Sequence, residues 1–152
     1  MPKILIKTPE QIAGIRKAWH LTAETLDMIG QYVKPGVSTL ELDTIMNAFI
    51  LKNGGISACI DYEWANKWGK SAKAYKRCTC ISVNDVICHG VPRADEILKE
   101  GDILNIDVTT IVDGYFGDAS RMYMVGKVSE KAHKLVAITK KAWEIGIAQV
   151  RP

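Results

Sequence analysis

The sequence lacks most of the features that would assign a location or partner by composition alone. No apolar run approaches the roughly 20 residues needed to cross a bilayer. The opening MPKILIKTPEQ carries Lys3 and Lys7 but no long apolar stretch behind them, which argues against a cleaved signal peptide and points to the cytoplasm. There are only four cysteines, Cys59, Cys78, Cys80 and Cys88, with neither a CxxC pair nor zinc-finger spacing. Without a secretory signal they read as reduced thiols. A net charge of +3 is too mild to argue for a polyanionic partner. What remains is ordinary globular composition, 47% hydrophobic and 24% charged, in a chain of 152 residues. Such a length buries roughly 70% of its unfolded surface, so one domain spanning 1–152 is expected.

The order of elements follows from periodicity and punctuation. Thr8-Pro9-Glu10-Gln11 is a capping box with proline at the first helical position, and Ile12, Ile15, Trp19, Leu26, Ile29 and Val33 recur near helical spacing. Lys34-Pro35-Gly36 stops that helix. Ser38-Thr39-Leu40-Glu41 opens a second, with Leu42, Ile45, Met46 and Phe49 inward, and Asn53-Gly54-Gly55 closes it with a left-handed cap. From Ile56 the period changes to two. A strand is expected over 56–60, and a hairpin from Cys80–Val83 and Val86–His89 joined across Asn84-Asp85. Lys99-Glu100-Gly101-Asp102 reads as a turn, and Ser129-Glu130 starts a last helix carrying Leu135, Ile138, Trp143 and Ile145. Val33-Lys34-Pro35 is echoed by Val150-Arg151-Pro152, a faint sign of a repeat.

The stretch NIDVTTIVDGYFGDAS holds the chemistry. Asp113-Gly114 is a two-residue hairpin signal, because a type I′ turn needs positive φ at both central positions. Counting outward from that turn, Val112 opposes Tyr115, Thr109 opposes Asp118 and Asp107 opposes Ser120. Asn105, Asp107, Thr109, Asp118 and Ser120 then share one face, and Leu104, Ile106, Val108 and Val112 the other. Asp107 and Asp118 become diagonal neighbours, about 7 Å or less between Cβ atoms. Ile111, Phe116 and Met122 surround them on that face, which suits a covered pocket. Buried paired carboxylates need a compensating positive charge, and a divalent cation supplies it. An oxygen-rich site with an imidazole nearby suits catalytic Mn, Fe, Co or Zn. His89, at the end of the expected strand Val86–His89, is the candidate imidazole, with Gly90 allowing another backbone to approach closely. His20 and His133, on expected helices, read as structural.

These elements combine into a recognisable pattern. NDVICHGVP followed by GDILNIDVTTIVDGYFGDASRMYMVG resembles the first half of the type I methionine aminopeptidases, an α/β (α+β) family with the pita-bread fold. The likeness runs from the TPEQI helix through VKPGVSTLELD and LKNGG to the closing AWEIGIAQVRP. It implies removal of the initiator methionine from nascent proteins by a hydrolase with two divalent metal ions. It also implies Asp107 and Asp118 as metal ligands and His89 as a non-ligand that hydrogen-bonds the scissile amide. Cys59, Tyr62, Tyr75 and Cys80 would line the methionine side-chain pocket, and Thr109 would lie near the substrate amine.

Two departures qualify the pattern. The family completes its metal shell with a downstream histidine and two later glutamates, so this chain is expected to be the N-terminal half, inactive alone and exposing apolar surface meant for the other half. The complete protein is expected to be a monomer away from membranes. In addition, the segment 63–77 is long, with five basic residues interleaved with Trp64, Trp68 and Tyr75. It reads either as a solvated loop or as a surface for ribosomal RNA. The competing functions are therefore a non-catalytic module binding RNA or the ribosome, and a relative of prolidase or aminopeptidase P. The short N-terminal segment and the CHG element argue against the latter.

Overall fold

The computed structural model describes residues 4–63 and 74–151. Three helices, α1 (Pro9–Ile29), α2 (Thr39–Lys52) and α3 (Glu130–Ala148), accompany one antiparallel sheet of β1 (Ile56–Ser57), β2 (Cys80–Val83), β3 (Ile103–Val112) and β4 (Tyr115–Met124). Both expected capping boxes form: the Thr8 hydroxyl accepts from Gln11 N while Gln11 Oε1 accepts from Thr8 N, and Ser38 and Glu41 do the same at α2. A short 3-10 turn, Gly30–Tyr32, ends the first helix. Gly54, at φ 78°, follows the C-cap of the second in the left-handed conformation. Among the described residues no helix is long and apolar enough to cross a membrane.

Strand β3 organises the sheet. Strand β4 runs along one edge for its whole length, from Ile103↔Met124 to Val112↔Tyr115. The other edge is shared end to end: β1 pairs Ile56↔Ile111 and Ser57↔Thr110, and β2 pairs Cys80↔Asp107 through Val83↔Leu104. The chain thus leaves this edge after Ala58, whose N–H still donates to Thr109 O, and returns to it at Cys80. The described residues between form an excursion that leaves opposite Thr109 and returns opposite Asp107.

Alternation along β3 divides the two faces. Leu104, Ile106, Val108, Thr110 and Val112 are buried against α1 and α2, joining Leu21, Leu26, Ile29, Leu42, Met46 and Ile50 in one core. Burial of each large aliphatic side chain contributes about 1.5–3 kcal/mol. The face that α1 presents differs from its apolar periodicity. Trp19 is half exposed, whereas Ala18, Leu21, Thr22, Thr25, Leu26 and Ile29 face inward. Close approach explains the change, since a Cβ at Gly117 would fall inside the Ala18–Trp19 backbone, so only small residues fit at the crossing. The threonines bring no orphaned hydroxyls: Thr22 Oγ1 donates to backbone oxygen and lies 2.8 Å from Thr110 Oγ1, whose single proton goes either to Thr22 Oγ1 or to Ala18 O.

Two strand expectations are corrected. The strand over 56–60 shrinks to Ile56–Ser57, because Cys59 N turns back to Ser57 Oγ and Asp61 takes φ 64°. Val86–His89 is not a strand at all. The turn across Asn84-Asp85 does form, with Asn84 at φ 54° and Val86 N donating to Val83 O, but Asn84 also keeps pairing with the start of β3, through Asn84 N to Ile103 O and Ile103 N to Asn84 Oδ1, and 86–89 leave the turn without a ladder to β2. Helix α3 leaves Leu135, Ile138, Trp143, Ile145 and Ile147 exposed, in keeping with the expected apolar surface.

Candidate functional site

The turn that aligns the acidic pair forms as expected, with Asp113 at φ 51° and Gly114 at φ 79°. The Lys17 ammonium meets the Asp113 carboxylate at 2.6 Å, but both are largely exposed, so the ion pair adds little stability. From this turn the register is the expected one: Thr109 opposes Asp118, and Asp107 opposes Ser120. Asp107 and Asp118 therefore lie on the sheet face opposite the core, and Thr109 Oγ1 donates to Asp118 Oδ1 at 2.9 Å.

Asp107 is half-buried, and its carboxyl is held above the usual carboxylate range. Burial is the main cause, the Asp118 charge the second, and His89 opposes both. The part of that shift due to the Asp118 charge is one that a bound cation would offset.

His89 reaches the same place from a loop, not from the expected strand. Its backbone takes φ 54°, an uncommon conformation for a non-glycine residue, and its neighbour holds it there. Gly90 O accepts from Ile81 N at 2.9 Å, and Gly90 N donates to Ser82 Oγ at 3.1 Å. A Cβ at Gly90 would run into the Ile81 carbonyl and lie 2.9 Å from Ser82 Cα, so the anticipated close approach is real and pins the histidine against β2.

The excursion from the β3 edge builds the opposite wall. Asp61 N donates to Tyr75 O and Tyr75 N to Tyr62 O, a two-bond neck that closes the segment between them. Residues 64–73, including Trp64 and Trp68, lie outside the described residues. The neck brings both tyrosines to the cleft, and Tyr75 donates its hydroxyl to Thr79 O at 2.7 Å. Burial raises the pKa of that hydroxyl and of the Cys59 and Cys80 thiols, so all three are protonated at neutral pH and act as a weakly polar, polarisable wall.

All the candidate residues meet in one cavity of about 610 Å³, lined by Cys59, Tyr62, Tyr75, Cys80, His89, Asp107, Thr109 and Asp118. Ala58, Val91 and Phe116 complete the lining. Phe116 remains 57% exposed, so the cleft is open on that side and not covered. Ala58 and Val91 carry no chemical signal in sequence; only the interrupted edge and the Gly90 turn bring them in. Among the described residues no group of three or more His, Cys, Asp or Glu side chains is placed to hold a metal ion. Asp107 and Asp118 suit a hard or borderline divalent ion as part of a ligand set that needs further donors.

Comparison with known proteins adds an independent line. Residues 13–152 match metallopeptidase family M24. The chain is 45% identical to the methionine aminopeptidase of Escherichia coli strain K12 over 150 residues, covering 98% of this chain and 53% of that protein. The crystal structure of methionine aminopeptidase from Rickettsia prowazekii superposes with a TM-score of 0.89 at 43% identity, over 99% of this chain and 56% of the other. The prolidase from Pyrococcus horikoshii OT3 superposes at 0.77 with 20% identity, over 97% and 38%, a likeness of fold alone. The chain spans about half the length of the curated relatives it matches.

Proposed function

The chain belongs to metallopeptidase family M24, with the pita-bread fold, and from that premise we propose that it supplies half of an enzyme that releases the N-terminal methionine of nascent proteins. Residues 1–152 act as one structural unit of the catalytic domain. The observation that carries the reading is the convergence of Asp107 and Asp118 beside His89 in a cleft walled by thiols and tyrosines.

In this reading Asp107 and Asp118 hold two divalent ions, Co, Mn, Fe or Zn, together with a histidine and two glutamates from outside residues 1–152. Bound there, such ions supply Lewis acidity toward the scissile carbonyl and lower the pKa of water. The chain's own residues do the rest. Thr109 fixes the Asp118 carboxylate through its hydroxyl and faces the substrate amine. His89, held by its backbone, donates to the scissile amide as charge develops. Cys59, Tyr62, Tyr75 and Cys80 receive the unbranched thioether side chain, whose polarisable sulfur suits thiol and aromatic contacts. The working place is the cytoplasm, the assembled enzyme is a monomer, and nascent chains are met at the ribosome.

The test joins this chain at its C-terminus to the part of the Escherichia coli relative that it does not cover, and follows methionine release from Met-Ala-Ser with Mn or Co. Release is expected, abolished by Asp107→Ala, with no cleavage of Xaa-Pro peptides. Absence of release, or release indifferent to Asp107→Ala, overturns the proposal. Metal-independent RNA binding without turnover would favour the non-catalytic reading.

A further inference from the structure

One buried acid serves no role in the site described so far. Asp43, on α2, is 6% exposed, and its Oδ1 accepts from Thr79 N at 2.8 Å and Thr79 Oγ1 at 2.9 Å, with the Cys78 N–H also turned toward it. It does not line the cleft. Yet the two residues it grips are the hub of the cleft wall. Thr79 O accepts the Tyr75 hydroxyl at 2.7 Å. Cys78 O accepts from Ser57 Oγ at 2.6 Å, and Ser57 Oγ in turn accepts from Cys59 N at 3.0 Å. Cys80 follows Thr79 directly and opens β2.

We propose that Asp43 is a positioning residue: from behind the sheet edge it holds Cys78-Thr79, and through that segment sets the placement of Cys59, Tyr75 and Cys80, which decides the side chain the cleft accepts. The inference deepens the peptidase reading, since it rests on that wall being the side-chain pocket. A carboxylate is a poor choice for stability alone, because apolar residues of similar volume fill a buried site as well or better. What a carboxylate adds is acceptance of several converging N–H and O–H donors by charge-assisted bonds. Both ends of the excursion need such a clamp, because β1 has only two residues and residues 78–79 lie before the ladder of β2 begins.

The test uses this chain and its own thiols. Rates of iodoacetamide labelling at Cys59 and Cys80 are read by peptide mass spectrometry, with exposed Cys88 as internal reference. Asp43→Ala is expected to speed both by about tenfold or more, the loss of local protection that follows release of a buried hydrogen-bonded segment. Cys88 should not change, and Asp43→Asn, which keeps an acceptor oxygen, should restore most of the protection. Thr22→Val, which weakens the packing of α1 on β3 and β4 without touching Cys78-Thr79, serves as a comparison. If Asp43→Ala does not fold, Thr79→Val removes one bond to the carboxylate and should still speed Cys80 labelling. Unchanged rates in the folded Asp43 or Thr79 variant, or equal acceleration in Thr22→Val, overturn the inference. In the fused enzyme described above, Asp43→Ala should raise KM for methionyl peptides, leave kcat within about twofold, and narrow the preference for methionine over leucine. A fused wild type that releases no methionine would refute the peptidase reading and leave the labelling result to judge Asp43 by itself.

Discussion

Asp118→Asn offers the sharpest test of the acidic pair, because it changes charge and almost nothing else. The amide oxygen can still accept from Thr109 Oγ1, as Asp118 Oδ1 does at 2.9 Å. Diagonal placement across the β3–β4 ladder puts the two charges about 6–7 Å apart. Their repulsion is then about 0.6–0.7 kcal/mol at the permittivity of water and about 2.4–2.8 kcal/mol at an effective value of 20. Asp118 is exposed and Asp107 half-buried, so a figure near 1 kcal/mol is expected at low salt, less when screened. Without metal, the variant should therefore be more stable than the wild type, melting about 2–4 °C higher for a domain of this size. The pH profile carries the same information. Asp107 has its folded pKa raised above the unfolded value, so between those two values the folded state binds more protons than the unfolded state. The Asp107 contribution to the stability of the metal-free wild type falls as pH rises through that window. In Asp118→Asn the fall should be smaller but still present, since burial, the larger cause, remains. In the fused enzyme, where further donors complete the ligand set, divalent metal reverses the order: at ten times its Kd, Mn stabilises the wild type by about 1.4 kcal/mol and the variant by much less. Thermal melts with EDTA and with Mn, at low and high salt, decide the matter. A variant that melts at or below the wild type in EDTA, or that keeps the full response to Mn, refutes the convergence of these carboxylates on a shared cation.

Other changes probe separate parts of the structure. In the fused enzyme, His89→Ala should keep metal stoichiometry but slow turnover by on the order of a hundredfold, measured by single-turnover release and metal analysis; loss of metal would show that the imidazole is a ligand instead. Gly117→Ala forces a methyl group into the Ala18–Trp19 backbone and should destabilise by about 1–3 kcal/mol in urea melts, whereas an effect below about 0.5 kcal/mol would mean the helix–hairpin contact is looser than described. Thr22→Val removes a fully buried hydroxyl from the Thr110–Ala18–Gly117 cluster and should cost about 1–2 kcal/mol, again by urea melts; no loss would show that the cluster is not an energetic unit. Burial pushes the Cys78 thiol up to about 12, so at mildly alkaline pH the native chain should leave Cys78 unlabelled while Cys88 reacts, and rapid labelling of Cys78 would contradict the packing behind the cleft.

The features legible in sequence are those set by neighbours in the chain. Capping boxes, the left-handed stop at Gly54 and the Asp113-Gly114 turn depend on a few adjacent residues, and the turn alone assigns every partner along β3 and β4. The acidic pair followed from that register. Features set by distant partners are not legible in the sequence. Val86–His89 has the composition of a strand, but Asn84 bonds to Ile103 and the segment bends instead. Trp19 fits the apolar spacing of α1, but the tight crossing at Gly117 turns small residues inward. Asp43 did leave a trace: it occupies the stripe of Thr39, Met46 and Ile50, where a charge is out of place on a buried helix face. Its partner, however, lies 36 positions away and could not be read.

The interrupted edge of β3 explains why the side-chain wall is legible in sequence only through family resemblance, whereas the acidic pair follows from register alone. Asp107 and Asp118 sit on two ten-residue strands whose ladder is continuous, so their placement is redundant and tolerates the local cost of like charge. The wall residues sit at the broken ends of the opposite edge, where a two-residue strand stops at Ser57 and another begins at Cys80. Ladder bonds there are too few to hold position, and side-chain bonds from Ser57, Tyr75 and Asp43 take over. The break also leaves room for the cleft, because a continuous strand would carry its side chains in strict alternation and could not turn both Cys59 and Cys80 toward the Asp107 face. Cys80, paired with Asp107, faces the site by register; Cys59 lines it after the β1 ladder has ended, its N–H turned back to Ser57 Oγ. Precision at the acidic half of the cleft is therefore a property of the hairpin, whereas precision at the opposite wall depends on tertiary clamps. Substitutions in those clamps should alter which side chain is accepted before they alter the chemistry.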